Sequence, residues 1–422
     1  MSRLSQRLRN PLRAGLKSPV PERARPRAQQ DAHFKRAQKK SARRRSHIAA
    51  PGDGRAPAWP ATALRRIFKP ASRLALLIAL LAVAFTFSGC VSNAPQVRQV
   101  EFGRSIFSDG QRRAGVQFQD GAQAIAVTGG TLWLFGDTFI GPPQITQITG
   151  MVGTTIAFLP ATKTNLPPEL RYFTDQNGVA ANPLALFDDE PAATNRMWPL
   201  GGITVGGRVY LYYSMIEKTA GPGPWNFRSA GGGLAVADKP LQQFSRLRPG
   251  GRWKFPIEPI QVLHEGGHVY LFELSGEPRG LILGRVRASQ IEDPAAYEFF
   301  MGGGWSRDRG DAKIILREAY GQVSVIRHPG GRGWLMVTSS DFFHAREIEL
   351  RQSGKLEGPW SAPVRIAVPD MPGKTTQLIY GTFFHPELTG PGSRRLVLTF
   401  CRMLKGEWEL TNPEWVTLTL AP

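Results

Sequence analysis

Five times along this chain a glycine-rich turn opens directly onto an apolar strand. The turns are "TGG" (128–130), "VGG" (205–207), "EGG" (265–267), "PGG" (329–331) and "TGPG" (389–392). The strands that follow them read "TLWLFGDT", "RVYLYYSM", "HVYLFELS", "GWLMVTSS" and "RRLVLTFC". Short glycine-rich connections between apolar runs are the strongest local signal for a β-hairpin. Successive turns lie 60 to 77 residues apart, and each interval has room for two more strands. "GGGLAVAD" (231–238), "GLILGRVR" (280–287), "AREIELRQS" (345–353) and "EWVTLTLA" (414–421) occupy that place. A four-stranded antiparallel unit repeated at this period describes a propeller blade. The expected fold is therefore all-β, a five-bladed β-propeller over 105–422, with the strand near 97–103 joining the last blade. A two-sheet sandwich would leave the fivefold return of one hairpin unexplained.

The region before the propeller is different in kind. Residues 1–73 hold 20 of the 53 Lys and Arg but only three acids, Glu22, Asp31 and Asp53. Most of the formal charge of +20 thus belongs to a basic, Pro/Ala/Arg-rich leader. It has no periodic apolar residues to bury, so disorder is expected and no nucleic-acid partner is assigned. Next comes "LALLIALLAVAFTF" (74–87), fourteen uncharged residues preceded by Arg65, Arg66, Lys69 and Arg73. That run is short for a membrane span and fits a secretory signal core. It ends in Phe87-Ser88-Gly89-Cys90, which resembles a bacterial lipobox with Cys90 as the lipidated residue. An uncleaved anchor is the alternative, and either one tethers the protein outside the cytoplasm. Residues 91–104 read as a tether. With Cys90 lipidated, the one other cysteine, Cys401, has no disulfide partner.

Chemistry enters at the first hairpin. Folded about Gly129, "VQFQDGAQAIAV" (116–127) and "TLWLFGDTF" (131–139) set Asp120 nine residues before the centre and Asp137 eight after it. Opposed residues of an antiparallel pair share a face, with Cβ atoms about 4.5–5.5 Å apart. Two carboxylates so placed do not both ionise cheaply, and one titrates high. Glycoside hydrolysis uses such a pair as acid and as base or nucleophile. A local role remains open at this stage, because Asp-Gly and Gly-Asp-Thr also close turns. The same offset in the other blades holds Arg196 and Trp198, Glu258, Glu318 and Tyr320, and Tyr380. The aromatics could stack on sugar rings, and Arg196, Glu258 and Glu318 could bond hydroxyls; His385 follows in "FFHPEL".

"DGAQAIAVTGGTLWLFGDTF", "YGQVSVIRHPGGRGWLMVTSS", "LEGPWSAP" and "YGTFFHPEL" together resemble the bacterial domain-of-unknown-function family numbered 4185. That family contains the endo-D-arabinanases of glycoside hydrolase family 183 and is loosely akin to the five-bladed furanosidases of clan F. The resemblance implies that Asp120 and Asp137 stand where the family's acidic pair stands, and that Tyr380 and His385 belong to the cleft. After His385-Pro386 the chain has Glu387, where the family more usually has an aromatic.

The sequence holds no P-loop, dinucleotide fingerprint, HExxH or GxSxG nucleophile elbow, and its seven histidines show no tight ligand spacing. No cofactor and no metal are expected. The expectation is a monomeric, lipid-anchored glycosidase acting on a furanoside-containing, arabinan-like polysaccharide. The alternative is a carbohydrate-binding propeller without catalysis, and a third possibility is a protein-interaction scaffold in the envelope.

Overall fold

Turn chemistry sets the hairpins. Val205 pairs with Arg208 and Glu265 with His268, so Gly206-Gly207 and Gly266-Gly267 form two-residue loops. Both glycines of each loop have φ between 56° and 83°, the left-handed geometry whose twist matches that of the flanking strands. The computed structural model describes residues 94–221, 226–276, 280–331, 333–341, 344–390, 392–406 and 412–422. The basic leader, the apolar run 74–87 and Cys90 lie outside these described residues.

Five antiparallel sheets follow one another along the chain. Blade one contains Val116–Val127, Gly130–Ile140, Thr155–Pro160 and Arg171–Tyr172, with Gly150–Val152 as a side strand. Blade two contains Asn195–Val205, Arg208–Lys218, Phe227–Ala237 and Ser245–Arg246. Blade three runs Gln261–Glu265, His268–Ser275, Gly280–Arg287, Glu298–Phe300 and Trp305–Ser306. Tyr320–Arg327, Trp334–Ser339, Glu347–Ser353 and Val364–Ala367 make blade four. Blade five has Thr376–Phe384, Arg395–Leu404 and Glu414–Leu420, and its outer edge is Val97–Ser105. That last pairing is the one expected for residues 97–103, and it moves the end of the tether to before Val97, because the free edge of Glu414–Leu420 offers residues 97–105 a ladder.

The first strands of the five blades touch in a closed ring, each next to its neighbours, which makes the fold a five-bladed β-propeller. Five apolar clusters fill the five gaps between adjacent blades. This explains why the second strands are apolar without alternation. In "LWLF", Leu132 and Leu134 face blade two while Trp133 and Phe135 face blade five, so both faces of the sheet are buried. Every described strand of the ring lies between Val97 and Leu420, and the ring closes among these strands. Among the described residues no helix is long and apolar enough to cross a membrane.

Candidate active site

The first hairpin keeps a regular register from Val127–Gly130 to Gln123–Leu134, then slips three times, the first two on either side of Gly121. Gly121 lies opposite Phe135, and Gln119 opposite Thr138. Ala122 is the extra residue of the first slip and carries φ 103°, a conformation that costs an alanine energy. In the second slip Asp120 faces Gly136 and Asp137. Such bulges re-aim side chains at the ends of sheets, and here they turn both carboxylates toward one place. Gly136 makes the room: a Cβ on it would lie 2.3 Å from Asp120 Oδ1.

The two carboxylates have different partners. The Tyr380 hydroxyl donates to Asp120 Oδ2 at 3.3 Å, and the Asp137 backbone N–H donates to the same carboxylate. Burial, then the charge of Asp137, push Asp120 up to about 7. Burial also raises Asp137, but the Trp198 indole N–H and the Arg196 guanidinium oppose the rise. Trp198 Nε1 donates to Asp137 Oδ1 at 2.8 Å, and Arg196 Nη1 stands 3.6 Å from the same oxygen. The geometry therefore favours a protonated Asp120 beside an ionised Asp137. Burial and the neighbouring Asp120 hold the Tyr380 phenol well above its ordinary value, so it stays a donor.

The other expected residues divide. Trp198 comes to the pair as a hydrogen-bond donor rather than an open platform, with its ring edge-on to Phe227 at 4.9 Å between centroids. Arg196 likewise lies beside a carboxylate, its Nη1 3.6 Å from Asp137 Oδ1. Tyr320 and Tyr380 hold equivalent places: each precedes a glycine with φ near 60°, Gly321 or Gly381, at a register slip. Asp120-Gly121 has the same arrangement in blade one. Glu258 is half-buried, and its Oε2 accepts from Ser214 Oγ at 2.9 Å and Ser229 Oγ at 2.8 Å. Glu318 is exposed, and its carbonyl accepts from Arg351.

His385 lies in the core, not beside the acidic pair. It is fully buried, stacked on Trp133 at 4.1 Å, with Glu387 Oε1 on Nδ1 and Thr399 Oγ1 on Nε2, both at 2.8 Å. The expectation failed because His385 lies five residues beyond Tyr380 on a strand advancing about 3.3 Å per residue, away from the mouth.

Residues that pattern reading overlooked support the site from below. Cys401 accepts the Gly121 N–H at 3.3 Å, holding the bulge next to Asp120. Glu273, paired with Arg309 at 2.7 Å, is raised by burial and receives the backbone N–H of Glu258. Gln123 Nε2 spans from blade one to the Ile260 carbonyl of blade three at 3.2 Å, closing the axis beneath the pair. Ser214, opposite Trp198 in the ladder, was legible only as a strand residue; Gly136, directly before an Asp, was the one available signal. Among the described residues, no cluster of three or more His, Cys, Asp or Glu side chains could hold a metal ion.

A family described as a domain of unknown function, DUF4185, matches residues 111–402, most of the propeller. The chain belongs to the DUF4185 family. No curated protein matches this DUF4185 chain. Among solved structures it is similar to a provisionally named hydrolase from Bacteroides ovatus, at 16% identity and TM-score 0.57, covering 74% of this chain and 87% of that one. It also matches an exo-β-1,3-galactanase from Phanerochaete chrysosporium, at 13% identity and TM-score 0.46 over 76% and 64% of the two chains. An α-L-arabinofuranosidase from Podospora anserina matches at 12% identity and TM-score 0.43, over 78% and 99%. At these identities the Bacteroides likeness establishes the fold of the DUF4185 propeller and leaves its chemistry to its own residues.

Proposed function

We propose that this DUF4185 propeller is a glycoside hydrolase whose acid and base or nucleophile are Asp120 and Asp137. One observation carries the reading: two carboxylates meet in the bulge of the first hairpin with partners that separate their protonation states. Asp120, pushed up to about 7, donates its proton to the glycosidic oxygen as the bond to the anomeric carbon breaks. Asp137 keeps its charge through Trp198 and Arg196 and either deprotonates the attacking water or attacks the anomeric carbon itself. Both routes are known for paired carboxylates, and product stereochemistry tells them apart. Glu258, Tyr320 and Tyr380 would line the approach of the sugar.

The substrate we assign is a furanoside-containing, arabinan-like polysaccharide. The family resemblance supports it. We place the enzyme on the cell envelope as a monomer with a lipid at Cys90, on the support of the apolar run 74–87 and the Phe87–Cys90 sequence.

The test is to incubate residues 94–422 with arabinan, arabinogalactan and unrelated glycans and count new reducing ends. Release from the furanoside polymers that disappears in Asp120→Asn and Asp137→Asn is the expected result. Binding without release would replace the enzyme by a carbohydrate-binding propeller.

A further inference from the structure

The two ends of the propeller differ in charge. First strands run from the Asp120 end toward the hairpin turns, so the turns of all five blades share the opposite end. Each blade presents an exposed cation there. Lys163 follows Pro160, the ladder partner of Gly130. Lys239 lies just past Ala237, which pairs with Val209, and Arg287 pairs with His268 beside the Gly266-Gly267 turn. Lys355 follows Ser353, the partner of Trp334, and Arg394 and Arg395 leave the last turn. All six are exposed, and none forms an ion pair among the described residues.

The acids at this end are largely spent. Asp238 and Glu292 are both bound by Arg208, and Glu265 is bound by Arg327. Among the described residues at this end, Asp293 and Glu357 have no cation, and Glu387 is paired with His385 alone. The surplus is thus spread around the whole rim, which suits a flat anionic partner rather than a single small anion.

The chain enters at this same end. Val97 pairs with Leu420, next to the Arg395–Thr419 pair. Cys90 lies seven positions before Val97, a reach of at most about 25 Å when fully extended. A lipid on Cys90 would therefore bring the cationic rim, not the acidic pair, to the membrane.

We infer that the turn end of the propeller docks on anionic phospholipid headgroups and holds the Asp120–Asp137 pair facing outward, away from the bilayer. The inference rests on the envelope location proposed above. Asp120 is seven residues up the strand from Val127 at the turn, about 23 Å at the usual rise. That distance exceeds the ~8–10 Å over which the surface potential decays, so the bilayer's charge does not perturb the acid pair. A cation at an anionic leaflet improves partition by about fivefold.

The experiment uses residues 94–422, whose ring closes on itself, sedimented with vesicles of phosphatidylcholine alone or mixed with phosphatidylglycerol. The propeller is expected to pellet with the mixed vesicles only, and to be released by high salt. Combined Lys239→Glu, Arg287→Glu, Arg394→Glu and Arg395→Glu substitutions should weaken partition at least about 100-fold. Lys313→Glu with Arg317→Glu, exposed and away from the turn end, should leave it unchanged. All these side chains are exposed, and circular dichroism checks the fold. Equal pelleting with both vesicle types, pelleting with neither, or undiminished binding of the fourfold variant would overturn the inference. So would capture by a soluble acidic polysaccharide without vesicle binding. Arabinan hydrolysis by the fourfold variant and vesicle binding by Asp120→Asn are read separately, so failure of the docking and failure of the hydrolase are distinct results.

Discussion

Gly136 and Asp120 are complementary across the first hairpin: the hydrogen side of the glycine is the space the carboxylate fills, 2.3 Å from where a Cβ would stand. Gly136→Ala should therefore push Asp120 out of line with Asp137. We expect a loss of about 100-fold in kcat, since misplacement of about 1 Å has that effect, while the melting temperature falls only slightly. A hydrolysis assay with a thermal melt on the same sample checks both.

Asp120 titrates near 7 in the folded protein against about 3.9 in an unfolded chain. The folded state thus binds the proton more tightly, and stability is full below pH 4 and declines as pH rises through 7. Asp120→Asn should remove this decline. Its melting temperature should match the parent near pH 4 and exceed it at pH 8. Hydrolysis by the parent should fall above about pH 7, as the proton donor is lost. Melting curves of both proteins across this range, beside a pH–rate profile, decide the matter.

Trp198→Phe removes the N–H that Asp137 Oδ1 accepts at 2.8 Å but keeps a ring against Phe227. Loss of a bond to the charged form raises the carboxylate's pKa. The acidic limb of the pH–rate profile should move to higher pH, with kcat reduced about 10- to 100-fold and stability changed by only about 1 kcal/mol. An unmoved limb would count against Asp137 as the ionised partner.

His385→Ala should damage folding and spare chemistry. It opens a cavity against Trp133 and strips partners from Glu387 and Thr399, at a cost of about 3 kcal/mol. The melting temperature should drop by roughly 5 °C, with kcat per folded molecule unchanged. A selective rise in KM would instead return His385 to the substrate.

Periodicity alone carried the architecture. Gly206-Gly207 and Gly266-Gly267 mark hairpins because only glycine adopts that turn cheaply, and strands such as "LWLF" announce burial on both faces. Five such units leave one closed arrangement in which every apolar face is covered. The facing of Asp120 and Asp137 was also legible, because hairpin pairing is local and register follows from counting.

What required the tertiary structure was everything that crosses between blades. Trp198 and Arg196 reach Asp137 from blade two, Tyr380 reaches Asp120 from blade five, and Gln123 seals the axis against blade three. The family resemblance implied a cleft position for His385, and packing put it in the core. Local pairing is set by spacing along one chain segment, whereas the environment that separates two pKa values is built by segments as many as 260 residues apart. Only closure of the ring brings those together.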